Sequence, residues 1–172
     1  MPPPDPKTVV EQVHKECLDA LFARDYYKVF HATTTRYANV FDFAIALGSA
    51  LSGGTGLGIL ANPAFGWLCG GITSLSVLLS IAKGVYNWPG KTKFAIERVQ
   101  FYGSLYGKYQ ALVDDMNAAR EWNDKFASQR EALRVSANSG TADAFGDLSM
   151  DKQRAIQQGI KARIKYKEWW KP

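Results

Sequence analysis

The sequence predicts an all-α membrane protein with a two-helix transmembrane hairpin, an N-terminal helix, a long cytoplasmic helix and a basic C-terminal helix. The first observation is a run of 40 residues, Phe43 to Ala82, without Asp, Glu, Lys or Arg. The second is its division at Asn62-Pro63 into two pieces of 19 residues. As a helix, each piece would reach about 28 Å, close to the ~30 Å hydrocarbon core of a bilayer. The predicted hairpin occupies 37–88, with spans at about 38–61 and 64–86.

Glycines are frequent in both predicted spans and recur at the spacing that allows close helix packing. Gly54-x-x-x-Gly58 lies in the first span and Gly66-x-x-x-Gly70 in the second. Packing alone would explain these glycines, and a buried hairpin of a soluble helical bundle would explain the apolar run. The more specific prediction is a hinge, or a pore wall in which small and hydroxyl residues face a lumen. The expected pore-lining residues are Asp42, Ser49, Ser52, Gly54, Thr55 and Gly58.

The same glycines also resemble phosphate-binding loops, but their surroundings argue against that interpretation. The pattern Gly56-x-Gly58-x-x-Ala61 fits a dinucleotide fingerprint, yet no acidic residue follows about 20 positions later to bind a ribose. Gly84 and Gly90 are separated by five residues, where the P-loop requires four. Neither motif therefore predicts a nucleotide-binding enzyme.

The distribution of positive charge predicts the orientation of the hairpin. The chain has a formal net charge of +5, with five Lys and Arg in residues 1–42 and sixteen in residues 83–172. The connection between the spans has none. By the positive-inside rule, both termini are expected in the cytoplasm and the connection on the other side of the membrane.

Helical periodicity continues on both sides of the hairpin. Thr8-x-x-Glu11 is a capping-box pattern and opens a predicted N-terminal helix within 1–36. A second helix is predicted over 89–137, where apolar residues follow a heptad pattern. This pattern predicts a homo-oligomer, with a tetramer favoured, although the same side chains could instead be buried within one chain. The expected interface residues are Tyr102, Tyr106, Tyr109 and Val113.

The C-terminal segment is basic and aromatic. Residues 138–148 have the composition of a linker, and a helix is predicted over 149–172. From Lys152 onward, seven Lys or Arg oppose one acid, Glu168, and aromatic residues lie among them. This composition suits a nucleotide or single-stranded oligonucleotide, the anionic face of a membrane, or a solvated tail.

Residues that carry catalysis or bind metals are sparse. His14 and His31 are isolated from other ligand-type residues, so neither a metal nor a cofactor is expected. Asp114-Asp115 is better explained as a solvated pair than as a catalytic one. Cys17 and Cys69 are interpreted as small apolar side chains. We therefore expect a binding or conducting protein and not an enzyme.

The order of these elements resembles the SLATT family of two-helix membrane effectors in bacterial conflict systems. The likeness covers roughly residues 20–135 and includes the segment "NWPGKTKFAIERVQFYGSLYGKYQALVDDM". It implies an oligomeric, pore-forming antiviral effector in the bacterial inner membrane, gated by a nucleotide or oligonucleotide from a partner nucleotidyltransferase. The residues expected to bind such a ligand are Arg98, Lys108, Lys161, Arg163 and Lys165. Opening would depolarise the membrane of an infected cell and arrest its growth. The alternative is a non-conducting membrane scaffold whose basic tail recruits lipid or a partner.

Overall fold

The computed structural model describes residues 6–53, 63–119, 121–140 and 148–164, and the side chains of 8–50, 70–119, 121–140 and 148–164. Throughout these residues the regular secondary structure is helical. The helices are α1 (Pro6–Gly53), α2 (Pro63–Tyr86), α3 (Trp88–Ala119), α4 (Asp124–Gly140) and α5 (Met150–Arg163). The all-α part of the predicted fold class is therefore confirmed.

The chain divides into two compact units. Unit 1 contains residues 1–30 and 95–172, and unit 2 contains residues 31–94. The boundaries fall inside α1 and α3, so both helices contribute to both units. The predicted N-terminal helix and the helix of the first predicted span are thus one helix, α1, through Gly53.

Asn87 lies between the last residue of α2, Tyr86, and the first residue of α3, Trp88. Its backbone is left-handed, with φ of 45°, a conformation that asparagine tolerates better than most residues. Its side-chain Oδ1 accepts a hydrogen bond from Gly90 N at 3.2 Å, and its carbonyl accepts one from Lys91 N at 3.1 Å. A Cβ at position 90 would lie 2.5 Å from Asn87 Nδ2, which explains why glycine occupies that position.

The predicted continuous helix over 89–137 is wrong, because α3 ends at Ala119 and α4 begins at Asp124. Asn123 caps the new helix. Its Oδ1 accepts a hydrogen bond from Phe126 N and its carbonyl accepts one from Ala127 N, both at 3.1 Å. The carboxylate of Asp124 lies in the first turn, where it favours the positive end of the helix dipole.

The core of unit 1 forms where the first part of α1 meets α3. Tyr27 of α1 stacks on Tyr102 of α3, with ring centroids 5.8 Å apart. The Tyr102 hydroxyl donates a hydrogen bond to Gly140 O at 3.0 Å, which ties α3 to the end of α4. Buried side chains of this core include Val10, Val13, Cys17, Leu21, Leu105, Leu112 and Met116.

The heptad residues of α3 lie in this core. Tyr102, Tyr109 and Val113 are each less than 5 % exposed within a single chain. They are therefore not available as the predicted oligomer interface, because an interface side chain must be accessible before association. Tyr106 is half-buried, and the guanidinium of Arg24 lies over its ring, 5.3 Å from the centroid.

The predicted transmembrane hairpin, and with it the pore, is contradicted. Over the part of the chain that the structure describes, no helix has both the length and the apolar character required to cross a bilayer. The side chains of 51–69, within the two predicted spans and the connection between them, lie outside those described.

Unit 2 is built on a close approach of α1 and α2. A Cβ on Gly48 would lie 1.7 Å from Ser76 Oγ. Glycine at position 48 therefore allows the backbones of α1 and α2 to approach each other closely. Near the other end of this contact, Lys83 of α2 forms an ion pair with Asp42 of α1. Large apolar side chains nevertheless remain exposed in this unit. They are Tyr37, Val40, Phe43, Leu47, Leu75, Val77, Leu78, Ile81, Val85 and Tyr86.

Candidate anion-binding cleft

A cleft of about 530 Å³ lies in unit 1, where α5 packs beside α1. Two basic residues from each helix line it, together with one acidic residue, Asp25. The formal charge of its lining is therefore +3. We call this site the basic cleft. Its basic residues are Arg24 and Lys28 of α1 and Lys152 and Arg163 of α5.

The register of α1 places the first pair of basic residues. Arg24 and Lys28 are four residues apart and so lie one above the other on the helix surface. The neighbouring face of α1 carries Leu21 and Tyr27, which are buried in the core of unit 1. Because that face is fixed against α3, the Arg24 and Lys28 side chains are directed to the side where α5 lies.

The register of α5 places the second pair. Ser149 precedes the helix with an extended backbone, and its carbonyl accepts the first helical hydrogen bond, from Gln153 N at 3.1 Å. Lys152, Ile156, Gly159 and Arg163 then follow at 4-3-4 spacing, which brings them to one face. Ile160, beside this face, is 4 % exposed and anchors the helix in unit 1.

Asp25 links the two guanidinium groups of the cleft. Its Oδ1 accepts hydrogen bonds from Arg24 Nε at 2.9 Å and from Arg24 Nη2 at 2.8 Å. Its Oδ2 lies 3.6 Å from Arg163 Nη1. Arg24 is also held from its other side by the ring of Tyr106, so its position is defined before any ligand arrives.

Lys28 has a different environment. Its ammonium makes no hydrogen bond or ion pair with any residue that the structure describes, and its side chain is exposed. A lysine in this situation gives up little on binding an anion, because no protein contact has to be broken. Lys28 is therefore the residue of the cleft best able to accept a new negative charge.

The floor of the basic cleft is apolar. Val29 of α1 and Ala155, Ile156 and Gly159 of α5 line it. A Cβ on Gly159 would meet no atom within 4 Å, so the glycine widens the cleft without serving close packing. A flat, uncharged part of a ligand could lie on this floor while its anionic part contacts the basic residues.

The predicted ligand-binding residues are largely dispersed. Arg163 alone among those described lines the basic cleft. Lys161 is exposed on α5 outside the lining, Arg98 is half-buried on α3, and Lys108 is exposed on α3. Lys165 lies outside the described residues. The sequence prediction did not include Arg24 and Lys28 of α1. Their spacing of four residues, beside the apolar face of α1, was the sequence feature that could have identified them.

The two predicted pore-lining residues whose side chains are described, Asp42 and Ser49, both interact with other groups of the chain. Asp42 pairs with Lys83, so it does not contribute an isolated carboxylate. Ser49 is exposed, and its hydroxyl donates a hydrogen bond to Ile45 O at 2.9 Å, within its own helix. The side chains of the remaining members lie outside those described. They are Ser52, Gly54, Thr55 and Gly58.

Cys17 and His14 are titratable groups of unit 1 that lie outside the basic cleft. Burial raises the pKa of the Cys17 thiol to about 12, so this cysteine remains protonated at neutral pH. Burial lowers the pKa of His14, which favours its neutral form. Among the residues that the structure describes, no three His, Cys, Asp or Glu side chains are grouped so that they could hold a metal ion.

No protein family, no curated protein and no solved structure matches this chain. The SLATT resemblance, the non-enzymatic character and the cellular location therefore stay predictions. The features of the molecule that bear on function are the basic cleft and the exposed apolar side chains of unit 2.

Proposed function

We propose that unit 1 binds a phosphate-bearing ligand, a nucleotide or short oligonucleotide, in the basic cleft. The observation that carries the proposal is the convergence of four basic side chains from two helices around one space that contains a single carboxylate. The predicted nucleotide ligand is retained in this proposal, whereas the predicted pore is not. A partner nucleotidyltransferase would be a suitable source of such a ligand.

The types of basic residue favour phosphate over a simple carboxylate. Arginine presents a planar fork that can donate two parallel hydrogen bonds to phosphate oxygens. Lys28 adds a compact charge that suits a multiply charged phosphate group. Arg24 is already oriented by Asp25 and Tyr106, so little of its conformational freedom remains to be lost on binding.

The apolar floor favours a nucleotide over inorganic phosphate. Ile156 and Val29 provide a surface for a base, whose faces are apolar. An anion without an aromatic part would use the basic side chains and leave this surface wet. We therefore expect ATP to bind more tightly than tripolyphosphate, which has similar charge but no base.

Isothermal titration calorimetry with ATP as the probe tests the proposal. Lys28→Gln and Arg163→Gln should each weaken ATP binding about 10- to 100-fold, since a hydrogen bond to a charged group contributes about 1.5–3 kcal/mol. Lys108→Gln removes an equal charge from an exposed position of α3 outside the cleft and should change the affinity less than 2-fold. Equal losses in all three variants would show only a response to net charge, and unchanged binding in the first two would reject the site.

A second candidate function is self-association through unit 2. Exposed apolar residues recur along α1 at positions 40, 43 and 47 and along α2 at positions 75, 78, 81 and 85. Tyr37, Val77 and Tyr86 are exposed as well. Together these residues expose on the order of 1,000 Å² of largely apolar surface. A stable interface buries a comparable area, about 800 Å² on each partner. A second copy of the chain could cover such a surface and supply the predicted homo-oligomer at a different place.

Sedimentation velocity of the full chain tests this second candidate. Leu78→Glu and Ile81→Glu should shift the protein toward monomer, because each places a charge among apolar side chains. Ser80→Glu adds the same charge at an exposed polar position of the same helix and should leave the association unchanged. A wild-type chain that is monomeric at micromolar concentration, or that associates only with lipid vesicles, would reject self-association.

A further inference from the structure

Unit 1 contains a second cavity, separate from the basic cleft, between α1, α3 and α4. Its volume is about 260 Å³. Ala20 and Ala23 of α1 and Ala137 of α4 form part of its wall, and these small side chains leave the space open. Leu105 of α3 adds a larger apolar surface. The cavity therefore has room for a compact organic group.

Two of the three charged residues that line the cavity have partners. Glu16 accepts hydrogen bonds from Arg130 Nη2 at 2.6 Å and Nε at 3.2 Å. Arg134 forms an ion pair with Glu131, with Nη1 3.0 Å from Oε2, and lies 3.8 Å from Glu16 Oε1. These four charges sum to zero.

The third charged residue is Asp19. Its carboxylate makes no hydrogen bond or ion pair with any residue that the structure describes. Asp19 is exposed to solvent on one side, and partial desolvation raises its pKa, an effect that Lys15 opposes and Glu16 increases. The cavity therefore combines small apolar walls with one carboxylate that makes no direct hydrogen bond or ion pair with a described residue.

We propose that this cavity binds a small organic cation, an ammonium or amidinium group on a compact apolar body, with Asp19 as its counter-ion. The apolar body would lie against Leu105 and the alanine side chains. The cationic group would donate hydrogen bonds to the Asp19 carboxylate and neutralise it. The site is distinct from the basic cleft in both its residues and the sign of its charge.

Saturation-transfer difference NMR on the full chain, with benzamidinium as the probe, tests the proposal. Benzamide has the same shape without the charge and serves as the matched ligand. We expect benzamidinium to bind the wild-type chain at millimolar concentration and benzamide to bind at least 10-fold more weakly. Asp19→Asn, which keeps the size of the side chain, should abolish this preference for the charged ligand.

Asp114→Asn is the control variant, because it removes an exposed carboxylate of α3 outside the cavity. Its binding of benzamidinium should equal that of the wild type. Circular dichroism establishes that each variant is folded before binding is compared. Equal binding of the two ligands by the wild type, equal losses in both variants, or no binding of benzamidinium by the folded wild type would overturn the proposal.

Discussion

Arg163 Nη1 on α5 lies 3.6 Å from Oδ2 of Asp25 on α1. This ion pair joins a basic residue near the end of α5 to a carboxylate that also accepts two hydrogen bonds from Arg24. One acidic side chain thus keeps two guanidinium groups at the same cleft in spite of their mutual repulsion. A phosphate group of a ligand could pair with the same two guanidinium groups and carries more negative charge than one carboxylate.

Replacement of Asp25 should therefore raise the affinity for anions and lower the free energy of unfolding of the unliganded chain. Asp25→Asn removes the carboxylate that competes with phosphate for Arg163, so ATP affinity is expected to rise about 2- to 5-fold at low salt. The unliganded chain should lose about 0.5–1.5 kcal/mol of unfolding free energy, because two guanidinium groups then repel each other. Calorimetry and urea unfolding measure the two effects. A loss of ATP affinity would show instead that Asp25 is needed to position the arginines.

The ion pair of Glu16 and Arg130 should contribute measurably to stability. Arg130 donates to Glu16 at 2.6 Å and to Gln12 Oε1 at 2.9 Å, and the side chains of the pair are only 23 % and 15 % exposed. The hydrogen bond to Glu16 raises the pKa of Arg130, as expected for a well-formed pair. Glu16→Gln should lower the free energy of unfolding by about 1–3 kcal/mol in urea titration.

Glu131→Gln is the control for this pair. Glu131 contacts Arg134 on the surface of α4, where both side chains are at least half exposed, so its loss should cost less than about 0.5 kcal/mol. A comparable loss of stability in the two variants would contradict the importance assigned to the partly buried pair.

Gly48 should be intolerant of a side chain. Gly48→Ala would bring its Cβ to 1.7 Å from Ser76 Oγ and 2.9 Å from Ser76 Cβ, so α1 and α2 would have to move apart. We expect a loss of about 1–3 kcal/mol. In the matched variant Gly84→Ala the new Cβ meets nothing within 4 Å, and the gain in helix propensity should stabilise α2 by about 0.5–1 kcal/mol. A double-mutant cycle with Ser76→Gly should reveal favourable coupling to Gly48→Ala, and additive effects would contradict the contact.

Asp19 should reduce stability at neutral pH. Because burial raises its pKa in the folded chain, the folded state binds more protons than the unfolded state between the two pKa values. Its favourable contribution is complete below the unfolded pKa and is lost as pH rises through the folded one. Asp19→Asn should therefore raise Tm at pH 7 relative to the wild type and make no difference near pH 3. A lower Tm at pH 7 would indicate a stabilising contact of the carboxylate instead.

Much of the helical content was predictable because apolar periodicity and capping residues are local properties. The predicted span 64–86 corresponds to α2 (Pro63–Tyr86), and the helix expected from about Ser149 begins at Met150. The break between α3 and α4 was missed because the apolar pattern continues through it. The cap at Asn123 was nevertheless visible as an Asn-Asp pair.

The partners of the helices were not predictable, because periodicity identifies an apolar face without identifying what covers it. The apolar face of α3 carrying Tyr102 and Tyr109 suits a second subunit as well as α1 of the same chain. The basic cleft was hidden for a similar reason. Lys28 and Arg163 are separated by more than 130 positions, and only the packing of α5 beside α1 brings them to one site.

The most direct test of the central claim is to locate a bound nucleotide on the chain. Photo-crosslinking with 8-azido-ATP, followed by proteolysis and mass spectrometry, identifies the residues nearest the base. We predict labelling within 24–29 and 152–163, suppressed by excess ATP and reduced in Lys28→Gln. Labelling confined to other segments, or labelling that excess ATP does not suppress, would contradict binding in the basic cleft.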